Sequence, residues 1–345
     1  MVFSIEKRVF HFKQPAGTSR GIYTTRTSWM VHVTDAAWPG REGVGECAPL
    51  PQLSCDDLSD YEVVLRDMCD KVERLGEIPH AMLNPYPSMR FGLETALLSL
   101  RNGHVLFDTP FARGEEGITI NGLVWMGTFD EMLRRIEEKI AQGFGCVKLK
   151  IGAIDFENEL LLIKGIRQRF GAGDIQLRVD ANGAFSPAEA MDRLCQLAEY
   201  DIHSIEQPIR QQQWQDMARL CETSPIPIAL DEELIGVNTP EAKRKLLDAI
   251  RPAYLVLKPS LHGGMRGCEE WIRMARERGI GSWVTSALES NVGLNAIAQF
   301  TAHVYGSHIS LPQGLGTGLL FTDNVESPLY IKNDKIWLKP PHDDA

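Results

Sequence analysis

The chain has 345 residues, 43% of them hydrophobic and 24% charged, with a formal net charge of −10. That balance supports a large core and is unlike that of disordered or collagen-like chains. The acidic excess, with no block of five basic residues, argues against a phosphate-tracking surface, so no nucleic-acid partner is expected.

At this length a β/α barrel of about 200–250 residues plus a second unit is the natural division. The N-terminal MVFSIEKRVFHF has no apolar core followed by a small-residue cleavage site, and no apolar run reaches the length of a membrane span. A cytoplasmic protein without membrane insertion is expected. The seven cysteines (47, 55, 69, 146, 195, 221, 268) form no CxxC or CxxxC pair, which leaves reduced, buried thiols as the reading.

Residues 1–115 begin with the alternating stretches SIEKRVFHF (4–12) and SWMVHVTD (28–35). Two segments with apolar residues at helical spacing follow, YEVVLRDMCDKVERL (61–75) and MRFGLETALLSLRNG (89–103). This reads as an α+β capping unit. Its loops 17–26 and 49–57 are expected to close over a site, and Arg20 or Arg26 has two equal readings, a contact to a distal carboxylate or a solvated side chain. The tail 320–345 contains a strand-turn-strand pattern around Asn333-Asp334 that is expected to return to the cap.

Residues 116–319 repeat another plan, in which short β-branched runs alternate with amphipathic stretches of helical period. The eight runs lie at 118–124, 146–152, 175–183, 202–208, 226–233, 254–260, 281–290 and 308–314. Eight such units close a barrel rather than an open sheet. No GxGxxG follows the first run, which removes the main support for a dinucleotide-binding fold. The glycines of GLGTG (314–318) read as a tight turn after the eighth run rather than a phosphate cradle.

In a β/α barrel the carboxyl ends of the strands face the active-site mouth. Here the second strand ends Lys148-Leu149-Lys150, the third Asp180-Ala181-Asn182, the fourth Glu206, the fifth Asp231-Glu232 and the sixth Lys258. One strand-end acid is usually a helix cap, but three on consecutive strands converge and repel unless a cation lies between them. All-oxygen ligation suits Mg2+, with Mn2+ able to substitute, so Asp180, Glu206 and Asp231 are the expected ligands. Lys148 and Lys150 are two apart on a strand, project to one face, and are expected to depress each other's pKa. Lys150, nearer the mouth, is the expected general base, and Lys258 lies across the barrel. The set suits removal of a proton α to a carboxylate, with the enediolate held by the metal and a lysine. His262 is the one histidine near the mouth, and the sequence gives it no role.

The series KLK, DAN, EQP, DEE and LKPS resembles the enolase superfamily, in its muconate-lactonizing-enzyme-like branch. That resemblance implies a (β/α)7β TIM-like barrel under an α+β capping domain completed by the C-terminal segment. SALESNVGLNAIAQ (286–299) and GLGTGLLFTDN (314–324) are most similar to the o-succinylbenzoate synthase family of menaquinone biosynthesis. The implied reaction is a lyase step, the Mg2+-dependent syn-dehydration of a small cyclohexadiene carboxylate. Lys150 would act as base then acid, Lys258 would stabilise the intermediate, and Asn182, Glu232, Ser286 and Glu289 would contact substrate or support its contacts. A dipeptide epimerase of the same superfamily is disfavoured because HISLPQGLG offers no acidic pair at the eighth strand. An N-acylamino acid racemase uses the same lysine pair and stays open, and the oligomeric state is not legible.

Overall fold

Alternation of apolar and polar residues folds the start of the chain into an antiparallel sheet. Strands β1 (Val2–Thr18), β2 (Gly21–Thr34) and β3 (Glu42–Cys47) pair in chain order in the computed structural model, which describes residues 1–18, 21–124, 128–152 and 155–339. Helix α1 (Tyr61–Leu75) buries Tyr61, Leu65, Met68, Cys69 and Val72, positions three or four apart that form one stripe. With α2 (Pro87–Asn102) it encloses a core containing Val31, Val33, Leu93 and Leu97.

The approach of β3 to α2 is so close that only glycine fits. A Cβ on Gly45 would stand 1.9 Å from the Gly92 carbonyl oxygen, and one on Gly43 would stand 2.1 Å from that of Ala96.

The second part alternates strand and helix. It runs through β4 (Ile118–Thr119), β5 (Gly122–Val124), α3 (Phe129–Ala141), β6 (Cys146–Lys150), α4 (Phe156–Arg169), β7 (Gln176–Asp180) and α5 (Pro187–Ala198). It continues through β8 (Ile202–Glu206), α6 (Trp214–Thr223), β9 (Ile228–Leu230), α7 (Pro240–Ile250), β10 (Tyr254–Leu257), α8 (Gly264–Arg276), β11 (Gly281–Val284) and α9 (Asn291–Tyr305). Strands β5 to β11 pair in parallel in chain order as a seven-stranded sheet. Local signals start the helices where the sequence places them: Thr239 accepts the Ala242 N–H at 3.3 Å, ahead of Pro240 in the first turn of α7.

The eighth run, 308–314, forms no ladder strand among the described residues, and closure falls to Gln313 and Gly314. Gln313 bridges Ile120 and Gly314 bridges Thr285, both in parallel sense. The Gln313 side-chain oxygen accepts the Val284 N–H at 2.7 Å, so a side-chain amide supplies one rung of the barrel.

The C-terminal tail divides its contacts. Leu320 accepts from Lys13 and Thr322 donates to His11, which joins the tail to the cap. The expected hairpin, β12 (Leu329–Lys332) and β13 (Lys335–Leu338), instead pairs with β4 at the start of the barrel. Ile336 and Leu338 explain the choice, because their side chains are buried in the barrel's core cluster.

Two buried cap carboxylates fasten the cap to barrel helices. Glu46 accepts the Ser28 hydroxyl at 2.7 Å and, at the start of α9, the Ser290 N–H, Ser290 hydroxyl and Gly293 N–H at 2.9, 2.6 and 2.9 Å. Glu94 accepts the Met265 N–H at 2.6 Å at the start of α8. Both acids complement the positive ends of helix dipoles. No helix among the described residues is long and apolar enough to cross a membrane. The seven cysteines carry free thiols, but Cys55 and Cys195 are exposed and Cys221 is half-buried, so burial accounts for only four of them.

Gly45→Ala forces a side chain into the α2 backbone, which cannot yield as a flexible side chain would. The expected loss is about 3 kcal/mol of stability, read as a lower urea midpoint. An unchanged midpoint would show that β3 and α2 are not in backbone contact.

Candidate active site

Parallel register sets the spacing of the ionisable groups. Lys150 of β6 lies beside Asp180 of β7, which lies beside Glu206 of β8. Asp231 directly follows β9, and Lys258 directly follows β10. With β6 and β10 four places apart around a ring of eight, Lys150 and Lys258 approach the mouth from opposite walls.

Their side chains form one connected network. Lys148 Nζ donates to Asp180 Oδ2 at 2.9 Å and to Glu206 Oε1 and Oε2 at 3.1 and 2.9 Å. Lys150 Nζ donates to Asn182 Oδ1 at 2.7 Å and lies 3.3 Å from Asp180 Oδ2. Asn182 passes the link on, donating from Nδ2 to Glu232 Oε1 at 2.9 Å. Lys258 Nζ pairs with Asp231 Oδ2.

A cavity opens above this network. Lys148, Lys150, Asp180, Asn182, Glu232 and Lys258 form its polar side, and Leu50 and Leu53 of the cap face them with Leu123, Leu261 and Leu288 of the barrel. Glu206 and Asp231, 2% and 0% exposed, lie behind and meet the lysines that line it. Ser286 lines the cavity and shares a 2.6 Å hydroxyl contact with Thr317. Glu289 is not part of the lining; it is fully buried and accepts the Ala287 N–H and the Ser260 hydroxyl.

The electrostatics correct one expectation. Burial opposes the charge of Lys148, but Asp180 and Glu206 outweigh it, and its pKa lies above the ordinary lysine range rather than below it. Lys258 is likewise raised, with Asp231 the main carboxylate acting against burial. Asp180 is held well below the usual carboxylate range, because Lys148, Lys150 and Lys258 overcome its burial. Glu206 is pushed up to about 8 by burial and by Asp180, with Lys148 opposing.

The donor set fits a hard divalent cation. Asp180, Glu206, Asp231 and Glu232 bring four buried carboxyl groups together beside the amino groups of Lys148, Lys150 and Lys258. Asp231 Oδ1 and Glu232 Oε2 are buried without a hydrogen-bond partner among the described residues. In the present arrangement no three acidic, imidazole or thiol groups among the described residues enclose an ion-sized space, because the lysines sit on the carboxylates.

Arg26 is not a substrate contact. It is 1% exposed, and its guanidinium donates to the carbonyls of Pro49, Ala48 (2.6 Å), Leu288 (3.2 Å) and Ala287 (3.4 Å), joining the cap loop to the end of β11. Burial opposes its charge, and Glu289 and Glu46 help sustain it. Arg20 lies outside the described residues. Sequence reasoning also passed over Gln207, whose side-chain oxygen accepts the Asp231 and Glu233 N–H groups at 3.2 and 3.1 Å and so fixes the backbone that carries Asp231. Its place beside Glu206 was the available signal. Asn121, Thr285 and Thr317 in the cavity wall had none.

A family profile described as "Enolase C-terminal domain-like" matches residues 131–339, and one described as "MenC, N-terminal domain" matches residues 18–100. The chain is 46% identical to the o-succinylbenzoate synthase of Desulfotalea psychrophila, over 96% of this chain and 97% of that protein. The crystal structure of MenC from the same organism superposes with a TM-score of 0.83 at 42% identity, covering 97% of this chain and 99% of that one. Muconate lactonizing enzyme from Pseudomonas putida shares the fold, with a TM-score of 0.81 at 19% identity over 97% and 93% of the two chains.

Arg26→Leu leaves buried carbonyls on cap and barrel without a donor, at a cost of about 3 kcal/mol. Thermal unfolding is expected to fall while KM for substrate holds. A raised KM at unchanged melting temperature would restore Arg26 as a ligand contact.

Proposed function

We propose that this chain, which belongs to the o-succinylbenzoate synthase family of the enolase superfamily, is a lyase that dehydrates 2-succinyl-6-hydroxy-2,4-cyclohexadiene-1-carboxylate to o-succinylbenzoate. The product would serve menaquinone biosynthesis. The observation that carries the reading is that Lys150 and Lys258 line one cavity from opposite walls, with buried carboxylates between them. No acidic pair at the eighth strand, whose stretch reads HISLPQGLG, is available to hold the amino group of a dipeptide.

Asp180, Glu206 and Asp231 would hold Mg2+ or Mn2+, giving up ammonium contacts to do so. When bound, the ion would supply positive charge that stabilises the enediolate formed on loss of the proton α to a carboxylate.

Lys150, reacting as the free amine, takes the proton α to the carboxylate and becomes the ammonium. Asn182 holds its Nζ at 2.7 Å and is itself held by Glu232, so the amine is aimed before substrate arrives. The Lys258 ammonium faces the negative charge that develops on the other side. Lys150 then returns its proton to the departing hydroxyl, which leaves as water, and the ring becomes aromatic. A syn elimination needs one group for both transfers, and Lys150 suffices. The leucines of the wall keep solvent from the intermediate and match the apolar ring.

The test is a steady-state dehydration assay with Mg2+, with chelator, and with Lys150→Ala. Turnover is expected to vanish with chelator, return with Mg2+, and fall about 10²–10⁴-fold in the variant. Full activity in Lys150→Ala would overturn the assignment of the base, and racemisation of N-succinyl amino acids without dehydration would overturn the substrate.

A further inference from the structure

His262 stands next to the reactive lysine without taking part in the scheme above. It is 0% exposed, and its Nδ1 accepts the backbone N–H of Lys258 at 2.9 Å. The backbone N–H of His262 donates to the Lys258 carbonyl at 2.9 Å, so the residue is locked into the turn that carries the lysine.

A backbone N–H can only donate, so Nδ1 carries no proton. In a neutral imidazole the proton is then on Nε2, which becomes a donor. Nε2 faces Asp231, 4.0 Å from Oδ1. Neither atom has a hydrogen-bond partner among the described residues, and both residues are fully buried. An unmet buried donor and an unmet buried acceptor each cost about 1–3 kcal/mol. A shift of about 1 Å brings the pair to hydrogen-bond distance and satisfies both.

We propose that His262 is a positioning residue whose Nε2–H hydrogen-bonds Asp231 Oδ1, forming a chain of contacts from the Lys258 backbone through the imidazole to the Asp231 carboxylate. This chain fixes two things at once. Asp231 is left with Oδ2 as the oxygen it presents to the site, and Lys258 is held at the reach set by its own backbone. The inference deepens the dehydratase reading, because it concerns how that site is kept in shape.

The direct test needs no turnover. In protein labelled with ¹⁵N-histidine, with His262→Asn used to assign the resonance, His262 is expected in the Nε2-protonated tautomer. Observation of the Nδ1-protonated tautomer would overturn the proposal whatever the enzyme's substrate, whereas a wild-type protein that does not dehydrate would overturn only the substrate. The kinetic arm compares His262→Phe, His262→Asn and His262→Gln. Phe removes both contacts, Asn keeps an acceptor in the position of Nδ1, and Gln keeps a donor in the position of Nε2. Phe and Asn are expected to lower kcat about 10–100-fold with KM little changed, and Gln to recover most of the loss. A role in packing alone would lower thermal stability without separating Gln from Asn, and equal kcat in those two would overturn the proposal.

Discussion

The mouth of this barrel is governed by the need to bury four carboxylates and three ammonium groups in one small volume. An unpaired charge there costs several kcal/mol, so no side chain in the group has a freely chosen position. Lys148 is placed by Asp180 and Glu206, Lys150 by Asn182 and Asp180, and Lys258 by Asp231. The parallel register that sets Lys150, Asp180 and Glu206 side by side is what makes this mutual placement possible.

The cap solves the matching problem at the rim. Its leucines cover the charges, and it must stay put to do so. The means are polar and buried: Glu46 and Glu94 occupy the starts of α9 and α8, and Arg26 gathers carbonyls from both sides. The same physics that makes helix starts attract anions therefore serves to join the two parts. Each of these side chains is in place only when both parts are folded, so docking and folding of the cap are coupled.

How much was legible in the sequence follows from the range of each interaction. The strands and their charged ends were readable because the period of a β/α unit is local and each reactive residue terminates its own strand. The acid series at Asp180, Glu206 and Asp231 needed only that rule. Arg26 was misread because an arginine in a cap strand looks the same whether it meets solvent, a ligand or distant carbonyls; its partners at 287 and 288 are more than 260 residues away. The tail hairpin was recognised from its turn but sent to the wrong sheet, since which edge it joins depends on where Ile336 and Leu338 find a core. The lowering expected of Lys148 fails because the rule counted the like charge two residues away and not the acids on the adjacent strands. Gln207 acts through backbone atoms on a neighbouring loop, which no spacing along the chain encodes.

The way the barrel is shut has a consequence for its integrity. Seven strands form a continuous strip, and the ring is completed by a clasp of two residues, Gln313 and Gly314, one of whose rungs is a side-chain amide. A clasp that short has no neighbouring ladder to share the load, so if it slips, the first and seventh strands lose their shared partner together. Both then present unpaired edges, the surface on which other chains can add as strands. The chain that closes this active site therefore also keeps the protein from offering itself as a template for aggregation.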